Sequence, residues 1–167
     1  MNVHRYGSGP AQVMMLHGFT QHGGHMRESA QFFGHSCIAP DLPGHGPGSH
    51  LPATMDEAVE RVVALGRGIE ALVGYSMGGR VALRAASQLP DLKVLVLIST
   101  TAGLSEEDQP ERAASDAALA DRFETEPLES MVDEWLAKPL FLGMANRSNR
   151  WREQDRALRL EGTGSGL

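Results

Sequence analysis

The sequence contains one cysteine, Cys37, and no histidine beyond Ser76, although seven histidines precede that serine. A single cysteine excludes an intramolecular disulfide, which fits a reducing compartment. No run of lysine and arginine forms a basic stripe, and the formal net charge is −6 with a pI near 5.6, so a nucleic-acid partner is not expected. Apolar runs are short, none approaching the roughly 20 residues that span a bilayer. The opening MNVHRYGSGP lacks the charged and apolar regions of a signal peptide. No internal repeat is present. The expectation is a soluble cytoplasmic protein with no membrane and no nucleic-acid partner, its oligomeric state left open.

With 167 residues, 41% hydrophobic and 22% charged, the chain has an ordinary globular composition. A domain of this size buries roughly 70% of its unfolded surface. Four short apolar runs punctuate the first hundred residues, at 12–16, 37–42, 69–75 and 93–99. Rich in Val, Ile and Leu and ending in Gly, Pro or small polar residues, they predict parallel strands buried on both faces. Helical pattern lies between them at 26–33, at 55–65 with Ala58, Val59, Val62 and Val63 on one face, and at 77–89 with Val81, Leu83, Ala85 and Ala86. This alternation predicts an α/β fold, a doubly wound and mostly parallel sheet, with ligands at the carboxyl ends of the strands. From Ala102 the strand pattern stops, and amphipathic helical pattern is interrupted at Pro110, Pro127 and Pro139. The expected division is a core at 1–101, a helical cap at 102–160 and a Gly-rich tail, or the start of a further loop, at 161–167.

The run Ala71-Leu72-Val73-Gly74-Tyr75-Ser76-Met77-Gly78-Gly79 reads as a strand breaking into a helix across G-x-S-x-G. That is a nucleophile elbow, a sharp turn that exposes a serine hydroxyl above the sheet. Gly74 and Gly78 fit a close strand–helix crossing where side chains would collide. The helix opening at Met77 directs its positive end toward Ser76. The second donor to an oxyanion should come from the loop after the first core strand, His17-Gly18-Phe19. Phe19 and Met77 are therefore the expected backbone donors, each worth roughly 3 kcal/mol in a transition state.

HGF at 17–19, DLPGHG at 41–46 and GYSMGGRVAL at 74–83 resemble the α/β-hydrolase superfamily. Within it they are most similar to the menaquinone-pathway lyases, the 2-succinyl-6-hydroxy-2,4-cyclohexadiene-1-carboxylate synthases. RFETEPLESMVDEWLAKPLF at 122–141 resembles the lid segment of those enzymes, so the likeness runs over essentially the whole chain. The resemblance implies that Ser76 and a base promote elimination of pyruvate from a succinyl-cyclohexene carboxylate without cofactor or metal, arginines holding the substrate's carboxylates. Bidentate guanidinium pairing suits that task. The matching positions are Tyr75 and Arg80 beside the elbow, and Arg112, Trp135 and Arg147 in the cap. Alternatively, Arg80, Arg112 and Arg147 are solvated surface charges, Trp135 is packing beside Met131 and Val132, and Tyr75 fills space behind the serine.

In the α/β-hydrolase pattern the partners follow in the order serine, acid, histidine, on loops after later strands. Here the sequence is expected to be truncated before them, lacking two or three βα units of roughly 30 residues each. Among the histidines present, His17 either packs in the oxyanion loop or serves as base, and His45 either stabilises its turn or does so. His22 and His25 are candidate substitute bases, and His4, His35 and His50 are peripheral. Asp91 falls at the wrong edge of the sheet; Glu106, Glu107 and Asp108 follow the right edge with no histidine to orient. Three readings follow: a truncated lyase, a carboxylic-ester hydrolase with an unusual base, or a non-catalytic binding module docking with a chain that supplies further strands to the edge left by 93–99. In the first two the partner is a small-molecule carboxylate or ester.

Overall fold

The computed structural model describes residues 2–46 and 53–162; His50 and the glycines at 164 and 166 lie outside them. Five strands form one sheet: β1 (Val3–Tyr6), β2 (Val13–Leu16), β3 (Cys37–Pro40), β4 (Ala71–Tyr75) and β5 (Val94–Ile98), in the order β1-β3-β2-β4-β5. All neighbours are parallel except β1, which pairs antiparallel with β3. The four expected strands are present, and β1 is an addition. Its four residues carry too little pattern to be read alone; it exists because Val3 to Tyr6 pair with Pro40 to Cys37.

The crossovers are α1 (Arg27–Phe32), preceded by a 3₁₀ turn at Gly23–Met26, then α2 (Met55–Leu65) and α3 (Met77–Ala85). Thr54 caps α2, its hydroxyl accepting the Glu57 N–H at 3.2 Å, which satisfies one of the helix's orphan donors. The 77–89 segment is helical only to Ala85; a 3₁₀ turn follows and drops Leu89 into the core.

Successive strand residues face opposite sides of a sheet, so the all-apolar β2 serves two cores at once. Met14 and Leu16 join Ile38, Leu72, Val62 and Val81 on the face covered by α2 and α3. Val13 and Met15 join Cys37, Ala39, Val73 and Ala30 on the face covered by α1. β5 departs from the expected double burial: Val94, Leu97 and Ile98 are 51%, 40% and 46% exposed. α3 packs against this strand, but β5 is the edge of the described sheet and its outer flank has no neighbour there.

The chain steps from β2 outward to β3, then back across β2 to β4. This reversal makes the carboxyl end of β2 the switch point where α/β sheets open a crevice for ligands. Leu16 pairs with Gly74, so the chain leaves β2 at His17 and β4 at Ser76 side by side.

Beyond β5 the described residues form no strand. They fold as α4 (Gln109–Thr125), α5 (Leu128–Leu136), a 3₁₀ segment at Pro139–Asn146 and α6 (Asn149–Arg159). Pro110, Pro127 and Pro139 stand at the starts of elements, where a missing N–H is tolerated. α4 buries only Phe123, and α5 buries Met131 and Val132. No described helix is long and apolar enough to cross a membrane.

Two substitutions test this packing. Phe123→Ala, at a ring 1% exposed, should lower unfolding free energy in urea by about 3 to 5 kcal/mol, whereas Phe32→Ala, 89% exposed, should change it by less than about 0.5 kcal/mol. A Cβ at Gly78 would stand 2.5 Å from the carbonyl oxygens of Leu16 and His17. Gly78→Ala should therefore destabilise by about 1 to 3 kcal/mol or more, and Gly143→Ala, with open space around it, should not.

Candidate active site at the strand ends

Ser76 joins β4 to α3 at φ 52° and ψ −114°, a conformation that costs a non-glycine residue about 1 kcal/mol or more. Neighbouring backbone holds it there. Its N–H donates to Ile98 O at 2.9 Å, its carbonyl accepts the Gly79 N–H at 3.0 Å, and the Gly78 N–H donates to His17 O at 3.0 Å. A Cβ at Gly74 would meet Gly78 O and Gly79 Cα at 2.6 Å, and one at Gly79 would meet Thr100 at 2.6 Å. The glycines of the elbow are thus required by proximity. Among the described residues the Ser76 hydroxyl has no hydrogen-bond partner, and the backbone N–H groups of Phe19 and Met77 have none either.

The loop after β2 is pinned by His17, which is fully buried. Its Nε2 accepts the Leu42 N–H at 2.9 Å and its Nδ1 donates to Gly18 O at 2.8 Å. Burial, then the neighbouring His45 ring, pushes its pKa well below the usual histidine range. With both nitrogens engaged, His17 is a strut between the loops after β2 and β3. His45 donates from Nδ1 to Pro43 O at 3.0 Å, supporting its own turn. Tyr75 lies against Gly18, where an added Cβ would stand 3.0 Å from its ring.

Phe19 is the aromatic hub. Its ring meets His45, Phe123 and Trp135 edge-on at centroid distances of 5.9, 5.4 and 5.0 Å, the geometry that aromatic quadrupoles favour. Trp135 thereby comes from α5 to the oxyanion loop, its buried Nε1 without a partner. Arg80, one turn beyond Ser76, is half-buried, and among the described residues its guanidinium has no ion pair.

The other two cap arginines are held elsewhere. Arg112 pairs with Asp116 on its own helix at 2.7 Å, and both are exposed. Arg147 pairs with Glu28 of α1 and lies over the Trp151 ring at 4.5 Å. The buried guanidinium is that of Arg159, 3% exposed, which sequence reasoning missed. It donates to Asp155 Oδ2 at 2.8 Å and to Thr20 Oγ1, beside Phe19. Its only signal in sequence is an Asp-x-x-x-Arg spacing, the mirror of the exposed Arg112–Asp116 pair.

His22 and His25 occupy the next turn of the oxyanion loop and dock on α6. The His22 Nδ1 accepts the Gly24 N–H at 3.1 Å and its Nε2 donates to Leu158 O at 3.1 Å. The His25 Nδ1 accepts the His22 N–H at 3.1 Å, and its Nε2 stands 3.8 Å from Asp155 Oδ1. Burial lowers both pKa values, that of His25 to about 4, with the Arg159 charge as its second cause. Among the described residues neither ring bonds Ser76. His4, expected to be peripheral, instead turns its ring onto Asp41 at 3.0 Å. His35 is exposed, as expected. Asp91 accepts the Gly68 N–H at 3.0 Å, and Asp108 is bonded to Ser105 at 2.6 Å.

The pattern of the alpha/beta hydrolase family matches residues 13–164. The chain is 36% identical to 2-succinyl-6-hydroxy-2,4-cyclohexadiene-1-carboxylate synthase of Salmonella paratyphi C, the match covering 95% of this chain and 65% of that protein. It thus spans just under two thirds of that relative's length. Among solved structures, MenH from S. aureus superposes with a TM-score of 0.84 at 28% identity, covering 98% of this chain and 67% of that one. The enol-lactonase from Burkholderia xenovorans LB400 superposes at 0.76 with 18% identity, covering 99% and 66%, a likeness of fold alone. With its mostly parallel sheet and the sharp turn from β4 into α3, the chain belongs to the alpha/beta hydrolase family.

Proposed function

We propose that this chain carries the nucleophile, oxyanion-hole and cap portion of a menaquinone-pathway lyase that eliminates pyruvate from a succinyl-cyclohexene carboxylate. The observation that carries this reading is Ser76 at a strained positive φ, its hydroxyl unpartnered among the described residues, on a turn whose Gly78 N–H bonds His17 O at the start of the loop that carries Phe19. The Salmonella and S. aureus relatives support the choice of lyase within the family.

Elimination that begins with loss of a proton beside a carbonyl develops negative charge on the carbonyl oxygen. Phe19 N–H and Met77 N–H would receive that charge, and the α3 N-terminus favours it. Serine is a weak nucleophile and a weak base until a second group takes its proton. His17, His22 and His25 have their Nδ1 atoms engaged, and no described histidine bonds Ser76. The reading therefore assigns the base to the acid–histidine pair that the family's pattern places after later strands. Arg80 is the readiest anchor for a substrate carboxylate, because its guanidinium has no described ion pair to give up. Trp135 would wall the pocket with its free N–H. Arg112 and Arg147 would have to leave Asp116 and Glu28 to reach a substrate, and Tyr75 would back the serine.

Joined to the part of the Salmonella paratyphi C relative that it does not cover, the chain should release pyruvate in a coupled assay. Ser76→Ala should lower kcat by about 10³-fold or more. Ester cleavage without pyruvate release would replace the lyase with a carboxylic-ester hydrolase. In the same protein Arg80→Gln should raise KM by about tenfold, a charge-assisted hydrogen bond being worth about 1.5 to 3 kcal/mol, while leaving serine labelling by a fluorophosphonate intact.

A further inference from the structure

A second polar cluster lies behind the oxyanion loop and takes no part in the chemistry above. His4 on β1, His22 at the start of the 3₁₀ turn and Asp41 just after β3 each direct one ligand atom inward, all within 4.8 Å of one another. Asp41 Oδ1 is 3.0 Å from His4 Nε2 and 3.8 Å from His22 Nδ1. The His22 and Asp41 side chains are 2% and 4% exposed, that of His4 24%.

Hydrogen positions make this cluster unusual. The His22 Nε2 hydrogen is committed to Leu158 O, and its Nδ1 accepts the Gly24 N–H, so Nδ1 carries a lone pair. Nδ1 stands 3.8 Å from Asp41 Oδ1, which accepts the Gly23 N–H at 2.8 Å, and an ion seated between them would take the Nδ1 lone pair from the Gly24 N–H. The second carboxylate oxygen, Asp41 Oδ2, is buried with no hydrogen-bond partner among the described residues, an unmet acceptor that a cation beside the carboxylate relieves. A ring N–H given to a backbone carbonyl is also the usual way that a metal-binding histidine is oriented and held in one tautomer.

We propose that His4 Nε2, His22 Nδ1 and Asp41 Oδ1 bind a zinc ion. Neutral imidazoles and a carboxylate are zinc ligands, with bonds near 2.0 to 2.2 Å and a tetrahedral arrangement that sets ligand atoms about 3.4 Å apart. The 3.0 and 3.8 Å separations bracket that value, and His4, on the edge strand, closes the third by a small shift. For His4 to coordinate, its ring hydrogen sits on Nδ1, and Asn2 Nδ2, now 3.1 Å from Nε2, gives up that contact. The fourth position falls to water, supplied from the cavity of roughly 490 Å³ that His4 and His22 line with Glu161 and Trp151. The bound ion would tie β1 and β3 to the turn following Phe19 and Thr20.

The test is calorimetric titration of the chelator-treated full chain with zinc chloride, alongside Co²⁺ absorption. One Zn²⁺ per chain and the intense visible bands of tetrahedral Co²⁺ are expected. His4→Gln and His22→Gln should each weaken Zn²⁺ by about tenfold or more, with far-UV circular dichroism unchanged for His4→Gln. His35→Gln, at an exposed histidine outside the cluster, should bind as the parent does. No stoichiometric Zn²⁺ binding, or binding that His4→Gln leaves intact or His35→Gln weakens equally, overturns the proposal.

Discussion

The crossing of α3 over the carboxyl end of β2 is the constraint on which the rest of this protein depends. Gly78 approaches Leu16 and His17 so closely that a methyl group would stand 2.5 Å from either carbonyl oxygen, and its N–H bonds His17 O directly. That contact holds Ser76 in its strained turn and ties the start of α3 to the loop that carries Phe19. The loop after β2 is then carried to the loop after β3 by one buried imidazole, His17, bonded at both nitrogens. A sheet register, a helix start and a histidine strut together bring the ends of β2, β3 and β4 to one place.

The helices after β5 are joined to this frame by two different kinds of contact. One is apolar and aromatic, with Phe19 receiving Phe123 from α4 and Trp135 from α5. The other is polar and buried, where α6 brings Asp155, Arg159 and the Leu158 carbonyl against Thr20, His25 and His22. Buried ion pairs add little net stability, but removing one partner leaves an uncompensated charge and is severe. The aromatic contact therefore supplies attraction, and the polar one specifies where α6 sits. Both converge on the loop after β2, so the position of these helices and the conformation of that loop are mechanically linked.

How much of this was legible in sequence varied with the range of the interaction. Strands β2, β3 and β4 were readable because a parallel strand buried on two faces has to be apolar throughout, as VMML at 13–16 is. The bounds of α2 followed from the spacing of Ala58, Val59, Val62 and Val63 on one face. β1 was not readable: VHRY becomes a strand through its pairing with β3. β5 has the composition of a buried strand but a surface location, since burial depends on which neighbours cover it. The same difficulty governs the charges. Arg112–Asp116 and Asp155–Arg159 are alike as spacings on a helix, yet one is exposed and the other nearly inaccessible.

By itself, the sequence determined the elbow, the oxyanion-loop motif and the alternation of strand with helix, because these follow from steric limits and hydrophobic period within a few residues. Tertiary structure decided which ionisable side chains lose their water. Arg159 and His25 are buried because α6 folds back on the oxyanion loop, His4 meets Asp41 because β1 joins the sheet edge, and Arg147 stays at the surface with Glu28. Desolvation is a property of distant segments brought together, and no local spacing encodes it.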